Sequence, residues 1–560
     1  MTTFRSGGRS GGRFGRFAAA LLVSSLPAAA QKTPPPPPQS VFGEQIDVRV
    51  VNVEAVVIDK QGNRVTGLRP GDFQLQVDGK PVPIEYFNEV RGGQTVAPGE
   101  DEKSSPVKGL PSLAPGSPVG TSYLLFVDDF FSVGPRRDQV LRSIKDQLAR
   151  LGPEDRMAIV QYGGGQVEML SSWSSSERQL TSAIEKAIGS PSGGVARIAE
   201  LRTFESSERL VGSPNNFGPR RSFSQQTSTE ELIYAQQLAW QTQRAVAAAV
   251  SAMRGLAAPP GRKVMLLLAG GWPFSILDYV VNNPNRPVIE RDVPRGEEIL
   301  GPLVDTANRL GYTIYPVDVP GIEATAGADA ARSGPVQTAF NLREQEHEAT
   351  LLYTAEQTGG RALINSLSDQ VLQTASSDTR SYYWLGFTPA WQGNDKRHKV
   401  SLQVLTKGLQ VRTRSGFLDL SRKAESSLIV ESAMMFGNSP DVVPMPIKLG
   451  EPVASGRREM ELPVSLAIPV DAITFVPVNG KQTAELELRV AAVDSSGNRA
   501  PISVIPVTLS ATEAPKPGSY VRYDTRVKLK KLPHHLTLAI YDPLSGKILT
   551  AQADIKPPQK

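Results

Sequence analysis

The sequence predicts an α/β domain with a mostly parallel sheet covered by helices on both faces, flanked on either side by β-rich modules. Short continuous apolar runs at 123–127, 156–161 and 263–268 alternate with segments of helical spacing across residues 121–380, the pattern of strands buried on both faces. Before and after that span, helical spacing gives way to period-two alternation, which marks strands with one solvated face. The 560 residues also exceed what a single core organises, since cores stop growing beyond roughly 250 to 300 residues.

At the N-terminus, Arg5, Arg9, Arg13 and Arg16 precede an apolar stretch at 17–26, and Ala28, Ala29 and Ala30 offer a small-residue cleavage site. This predicts a signal peptide at 1–30 and an exported protein, periplasmic or extracellular. No other stretch approaches the roughly 20 apolar residues of a membrane span. Without the four leader arginines, 57 basic residues face 56 acidic ones. That balance removes the support a basic chain would lend to nucleic-acid binding. The chain has no cysteine, so an exported fold must rest on core burial without disulfides.

Pro34 to Pro38 form a proline-rich linker within 31–44. A β-module follows at 45–90: Ile46, Val48 and Val50 alternate with polar residues, then Val51, Val53, Ala55 and Val57 alternate in the opposite phase, which predicts a bulge or bend. Asp78-Gly79 reads as a hairpin turn. Gly, Pro, Ser and charge dominate 91–120, the composition of a linker.

Within 121–380, helices are expected at 138–151, 176–188, 230–256, 297–310 and 344–358, and strands at 123–127, 156–161, 167–170, 263–268, 313–317 and 361–364. The Ser/Arg/Pro/Gly-rich stretch reaching Thr229, with several arginines between Arg197 and Arg221, reads as a solvated insertion. β-like runs return in a segment at 381–417, which includes Tyr382, Tyr383, Trp384 and Phe387. Two short β-sets at the two ends of one α/β span are most economically completed by pairing with each other. Residues 423–560 predict a further β-sandwich, since Ala484, Leu486, Leu488 and Val490 alternate with Glu485, Glu487 and Arg489.

Three stretches together carry a resemblance: Phe126-Val127-Asp128-Asp129-Phe130-Phe131-Ser132, residues 151–160 beginning Leu151-Gly152-Pro153-Glu154-Asp155, and residues 260–268 beginning Pro260-Gly261-Arg262-Lys263. They resemble von Willebrand factor A domains. Residues 65–73 and 382–389 extend the likeness to exported VWFA-related proteins of the acidobacterial type. The resemblance covers about 45–417 and implies a doubly wound sheet with a metal-ion-dependent adhesion site at its C-terminal strand edge, where open α/β folds bind ligands.

In such a site Mg²⁺ is held by an Asp-x-Ser-x-Ser loop, a Thr from a second loop and an Asp after the central strand, because this hard ion takes oxygen ligands in octahedral geometry. Here Asp128, Asp129 and Ser132 are the candidate metal residues, with Asp318 after the next strand as a further one. Phe130 stands where a hydroxyl belongs, Val195 in Gly193-Gly194-Val195 where Thr belongs, and Ala269-Gly270 where Thr-Asp or Ser-Asp belongs. The resemblance therefore implies a degenerate site in which Asp128 and Asp129 order the loop and no Mg²⁺ cofactor is held.

Catalytic groups are scarce. His347-Glu348 lacks the second histidine of a zinc-protease helix and reads as a solvated helix face; Gly163-Gly164-Gly165 lacks the Lys-Ser/Thr of a phosphate loop. The expectation is a non-enzymatic, exported protein-binding or adhesion-type module with an unknown protein partner in the cell envelope. A structural envelope component whose A-like domain binds no ligand is the alternative, and a hydrolase of unrecognised type a weaker one.

Overall fold

A computed structural model describes residues 50–96, 116–165, 167–211, 229–256, 262–281, 293–319, 335–364, 370–421, 424, 443–478, 480–494, 503–513, 515–545 and 547–558. The leader at 1–30, the proline-rich linker at 31–44 and the middle of the 91–120 linker lie outside the described residues. The chain divides into two compact units, Val50–Ser421 and a second that contains Arg422–Lys560.

The first unit opens with β1 (Val51–Ile58), β2 (Phe73–Val77), β3 (Lys80–Pro81), β4 (Tyr86–Arg91) and β5 (Gln94–Thr95). An α/β span follows: β6 (Thr121–Asp128), α1 (Gly134–Asp146), β7 (Arg156–Tyr162), β8 (Val167–Ser174), α2 (Glu177–Gly189), α3 (Gly194–Val211), α4 (Thr229–Gly255), β9 (Arg262–Ala269), α5 (Ile276–Val281), α6 (Gly296–Leu310), β10 (Tyr312–Asp318), α7 (Pro335–Thr358) and α8 (Val371–Thr379). Its sheet has the order β10-β9-β6-β7-β8. All neighbours run parallel except β8, which returns antiparallel to β7.

The apolar runs are explained by burial on both faces. On one face Tyr123, Leu125 and Val127 of β6 pack with Leu141 and Ile144 of α1 and Ile184 of α2. On the other, Leu124, Phe126, Met265 and Leu267 are equally buried, with α4 against β6 and α6 and α7 against β10.

The chain then returns to β-structure with β11 (Tyr382–Phe387), β12 (Lys396–Val404), β13 (Gln410–Arg412) and β14 (Gly416–Asp419). β1 lies between β11 and β13, with Val53 opposite Leu385, and β4 pairs with the other edge of β11. A second sheet runs β14-β12-β2-β3, with Leu75 opposite Leu402. Val53, Phe73, Leu75, Tyr383, Leu385 and Phe417 share the core between the sheets. The α/β span is thus inserted between two halves of one β-structure. Ion pairs join insert and host: the buried Arg262 of β9 meets Glu54 of β1 at 3.4 Å and lies over the Tyr382 ring. Asp378 in α8 pairs with both Arg64 and Arg412.

The second unit contains β15 (Val443–Pro444), β16 (Ile447–Leu449), β17 (Val453–Ala454), β18 (Glu459–Pro469), β19 (Val476–Val478), β20 (Lys481–Asp494), β21 (Ser503–Ala511), β22 (Tyr520–Lys530), β23 (His534–Tyr541) and β24 (Ile548–Ile555). They form two sheets, β15-β24-β23-β20-β19 with β21 on β20, and β16-β18-β17 with β22 on β18. Every second residue of β18 is buried. Leu462 and Leu466 there share a core with Leu486, Leu488 and Leu538.

Four sequence expectations need correction. Residues 194–211 form α3 where a solvated insertion is expected, because Leu201 is buried and Phe204 stacks on Tyr234 of α4 at 4.7 Å. Residues 361–364 contribute a single parallel bridge, Val317 to Leu363, in place of a strand. The ordered β-structure passes Val90 into the expected linker, since β5 pairs with β4 and Thr95 bonds Ser117. His347 is buried, its Nε2 3.4 Å from Asp318 Oδ1, because its face of α7 packs against β10.

Candidate functional site

Three loops converge beyond the C-terminal end of β6. The first, Asp129 to Val133, turns the chain from β6 into α1. It is tied to β7 through the amides of Asp129 and Phe130, both bonded to the Tyr162 carbonyl. The second is Gly193-Gly194, whose amides donate to the carbonyls of Asp129 (2.6 Å) and Ser132 (3.1 Å). Glycine is required there: a Cβ on Gly193 would stand 2.6 Å from the Phe130 carbonyl oxygen, and one on Gly194 2.4 Å from that of Ser132. The third follows β9, where Gly270 approaches Ser132 so closely that a Cβ would lie 3.2 Å from its Oγ.

Asp128, Asp129 and Ser132, the candidate metal residues, are brought together and buried. Asp128 Oδ1 accepts the Phe130 and Phe131 amides at 3.0 and 3.4 Å, and Oδ2 accepts the indole N–H of Trp272 at 2.6 Å. Burial pushes the Asp128 carboxyl up to about 7 against the pull of these donors. Asp129 Oδ1 lies 2.5 Å from Arg137 Nη1, and both side chains are buried. Burial still raises this carboxyl, to about 6, although the guanidinium draws it down.

Whether these residues suit Mg²⁺ can be read from their free oxygens. Both oxygens of Asp128 and one of Asp129 are taken by the chain's own donors. Phe130, Val195, Ala269 and Gly270 supply no side-chain oxygen. Asp129 Oδ2 and Ser132 Oγ are buried without a hydrogen-bond partner among the described residues. Two oxygens beside a buried guanidinium do not fit the octahedral oxygen shell that Mg²⁺ demands. Asp318 faces His347.

Trp272 and Arg137 escape a reading of the sequence. Arg137 leaves one signal, since Arg136 and Arg137 stand in the first turn of α1, where the helix dipole disfavours cations. Trp272 leaves none beyond its place after Gly270-Gly271.

The surface over the first loop is aromatic and cationic. Phe130, half-buried, packs against Gly164, with the Arg197 guanidinium 4.4 Å above its ring. Arg244 bonds the Gly164 carbonyl and lies 4.7 Å over the Trp240 ring. Trp240 and Val195 are exposed.

No protein-family model matches the chain, and no curated protein matches it. Among solved structures, the SpRpn10 VWA domain aligns over 46% of this chain and 95% of its own, at 12% identity and a TM-score of 0.18. The pilus adhesin SpaC from Lactobacillus rhamnosus GG aligns over 78% of this chain and 56% of its own, at 9% identity and a TM-score of 0.18. The Northeast Structural Genomics Consortium target SoR45 aligns over 21% of this chain and 89% of its own, at 12% identity and a TM-score of 0.13. No helix among the described residues is long and apolar enough to cross a membrane.

Proposed function

We propose that the protein is an exported, non-enzymatic protein-binding module of adhesion type, built on a doubly wound von Willebrand A-like domain that binds its partner without a metal ion. The observation that carries this reading is the satisfied state of Asp128, whose oxygens are held by the Trp272 indole and two loop amides. A carboxylate so engaged would have to lose three donors before it could coordinate an ion. The partner then meets side chains: Phe130, Arg197, Trp240 and Arg244 supply the aromatic and guanidinium groups that dominate binding energy at protein interfaces.

The test is capture of envelope proteins on immobilised full chain, in Mg²⁺ and in EDTA, with Trp240→Ala as the control surface. A partner retained equally in both and lost with Trp240→Ala supports the proposal. Capture that needs Mg²⁺ and disappears in Asp128→Ala overturns it in favour of metal-dependent adhesion. A protein that retains nothing beyond the Trp240→Ala control is a structural envelope component.

A further inference from the structure

We infer that the oxygens gathered beside the strand tips form a cation site, and that the guanidinium of Arg137 is its resident cation. Four groups surround Arg137, which is 1% exposed. Asp129 Oδ1 accepts from Nη1 at 2.5 Å, and Asp138 Oδ1 accepts from Nε and Nη2 at 3.0 and 2.8 Å. The carbonyls of Ile188 and Ser190 accept from Nη2 at 3.2 and 3.0 Å. Those two carbonyls lie at the C-terminal end of α2, where the helix dipole favours positive charge. Two carboxylates, two carbonyls and a helix C-terminus form a hard-cation environment. The chain fills it from α1.

Two consequences follow. The first loop is clamped permanently, because its Asp129 is bound to a cation that cannot dissociate from the chain. Removing the guanidinium should uncover a divalent site: Asp129 Oδ2, already buried and unpartnered among the described residues, would be free to join Asp138, and the bound ion would take over from the guanidinium as the positive charge that favours the ionised Asp129 carboxyl. Ca²⁺ is the suitable probe, since it accepts oxygens in flexible geometry, as a cage shaped around a planar guanidinium requires. The inference does not depend on the partner-binding reading, because its readout is the ion response of the chain alone.

Thermal unfolding of full-length wild type, Arg137→Gln and Arg137→Lys, each in about 10 mM Ca²⁺ and in EDTA, tests it through the stabilisation that a ligand specific for the folded state confers. Wild type and Arg137→Lys should move by less than about 1 °C, and Arg137→Gln should gain at least about 3 °C with the ion. A folded Arg137→Gln protein indifferent to Ca²⁺, or a wild type that gains as much as the variant, overturns the inference. Should Arg137→Gln fail to fold, Asp129→Asn/Arg137→Gln decides: recovery of folding supports a charge-specific cation site, and continued failure overturns it.

Discussion

Trp272 donates its indole N–H to Asp128 Oδ2 across 2.6 Å, joining the loop after β9 to the end of β6 although the residues stand 144 positions apart. Both side chains are fully buried. The contact closes the strand tips from within, and it holds a carboxyl whose ionisation is costly in that position.

Asp128 therefore makes stability depend on pH. Its carboxyl is raised from the ordinary 3.8 to about 7 by burial, so the folded state binds a proton that the unfolded chain releases. The contribution is complete below about pH 4 and is lost as pH rises through about 7. Urea unfolding should show wild type losing on the order of 2 kcal/mol between pH 5 and pH 8. Asp129, raised to about 6, adds to the slope in the same direction. Asp128→Asn should flatten most of it, and an unchanged slope would assign the titration elsewhere.

Glu54→Ala should destabilise the first unit by about 3–5 kcal/mol, the cost of stranding a buried charge. Arg262, 2% exposed, has Glu54 as its carboxylate partner at 3.4 Å, and Thr313 Oγ1 also donates to that carboxylate, at 3.2 Å. Glu54→Ala/Arg262→Met should recover much of the loss in urea denaturation, because an apolar pair of similar volume needs no counter-charge. A double variant as unstable as Glu54→Ala would show that packing of the arginine stem over Tyr382 dominates.

Gly360→Ala should cost several kcal/mol or prevent folding, since a Cβ there would stand 1.8 Å from the Ile314 carbonyl oxygen in β10. Gly165→Ala meets nothing within 4 Å and should stay within about 0.5 kcal/mol of wild type. Denaturation midpoints of the two variants give the comparison. Equal midpoints would mean that the backbone after α7 shifts to accept the side chain.

Trp240→Ala should weaken partner binding by about 30-fold, the loss of one interface anchor worth about 2 kcal/mol, while leaving the melting temperature almost unchanged because the residue is 45% exposed. Arg244→Ala removes the cation over that ring and the bond to the Gly164 carbonyl, so it should weaken binding and also loosen the Phe130 loop. Titration calorimetry with the captured partner separates the effects. Full affinity in both variants would move the interface off this surface.

What the sequence determined by itself was everything that period and length encode. The runs at 123–127 and 263–268 announce strands buried on both sides, and Val140, Leu141 and Ile144 give the inward face of α1. Alternation in 484–490 marks a strand with one solvated face. Asp128, Asp129 and Ser132 are singled out only through the resemblance of their loop to an adhesion-site loop, which stands at the end of an apolar run. Only the tertiary structure decided what those side chains meet. Arg137 reaches Asp129 because α1 starts on a turn that points its first residues back at the strand tip, and Trp272 reaches Asp128 because β9 lies beside β6 with parallel register. The antiparallel return of β8, the packing of α3 on α4 and the burial of His347 belong to the same class. Periodicity reports how each segment divides between core and solvent. The choice of partner for a buried carboxylate depends on which loops converge there, and that is set by strand order and long-range register.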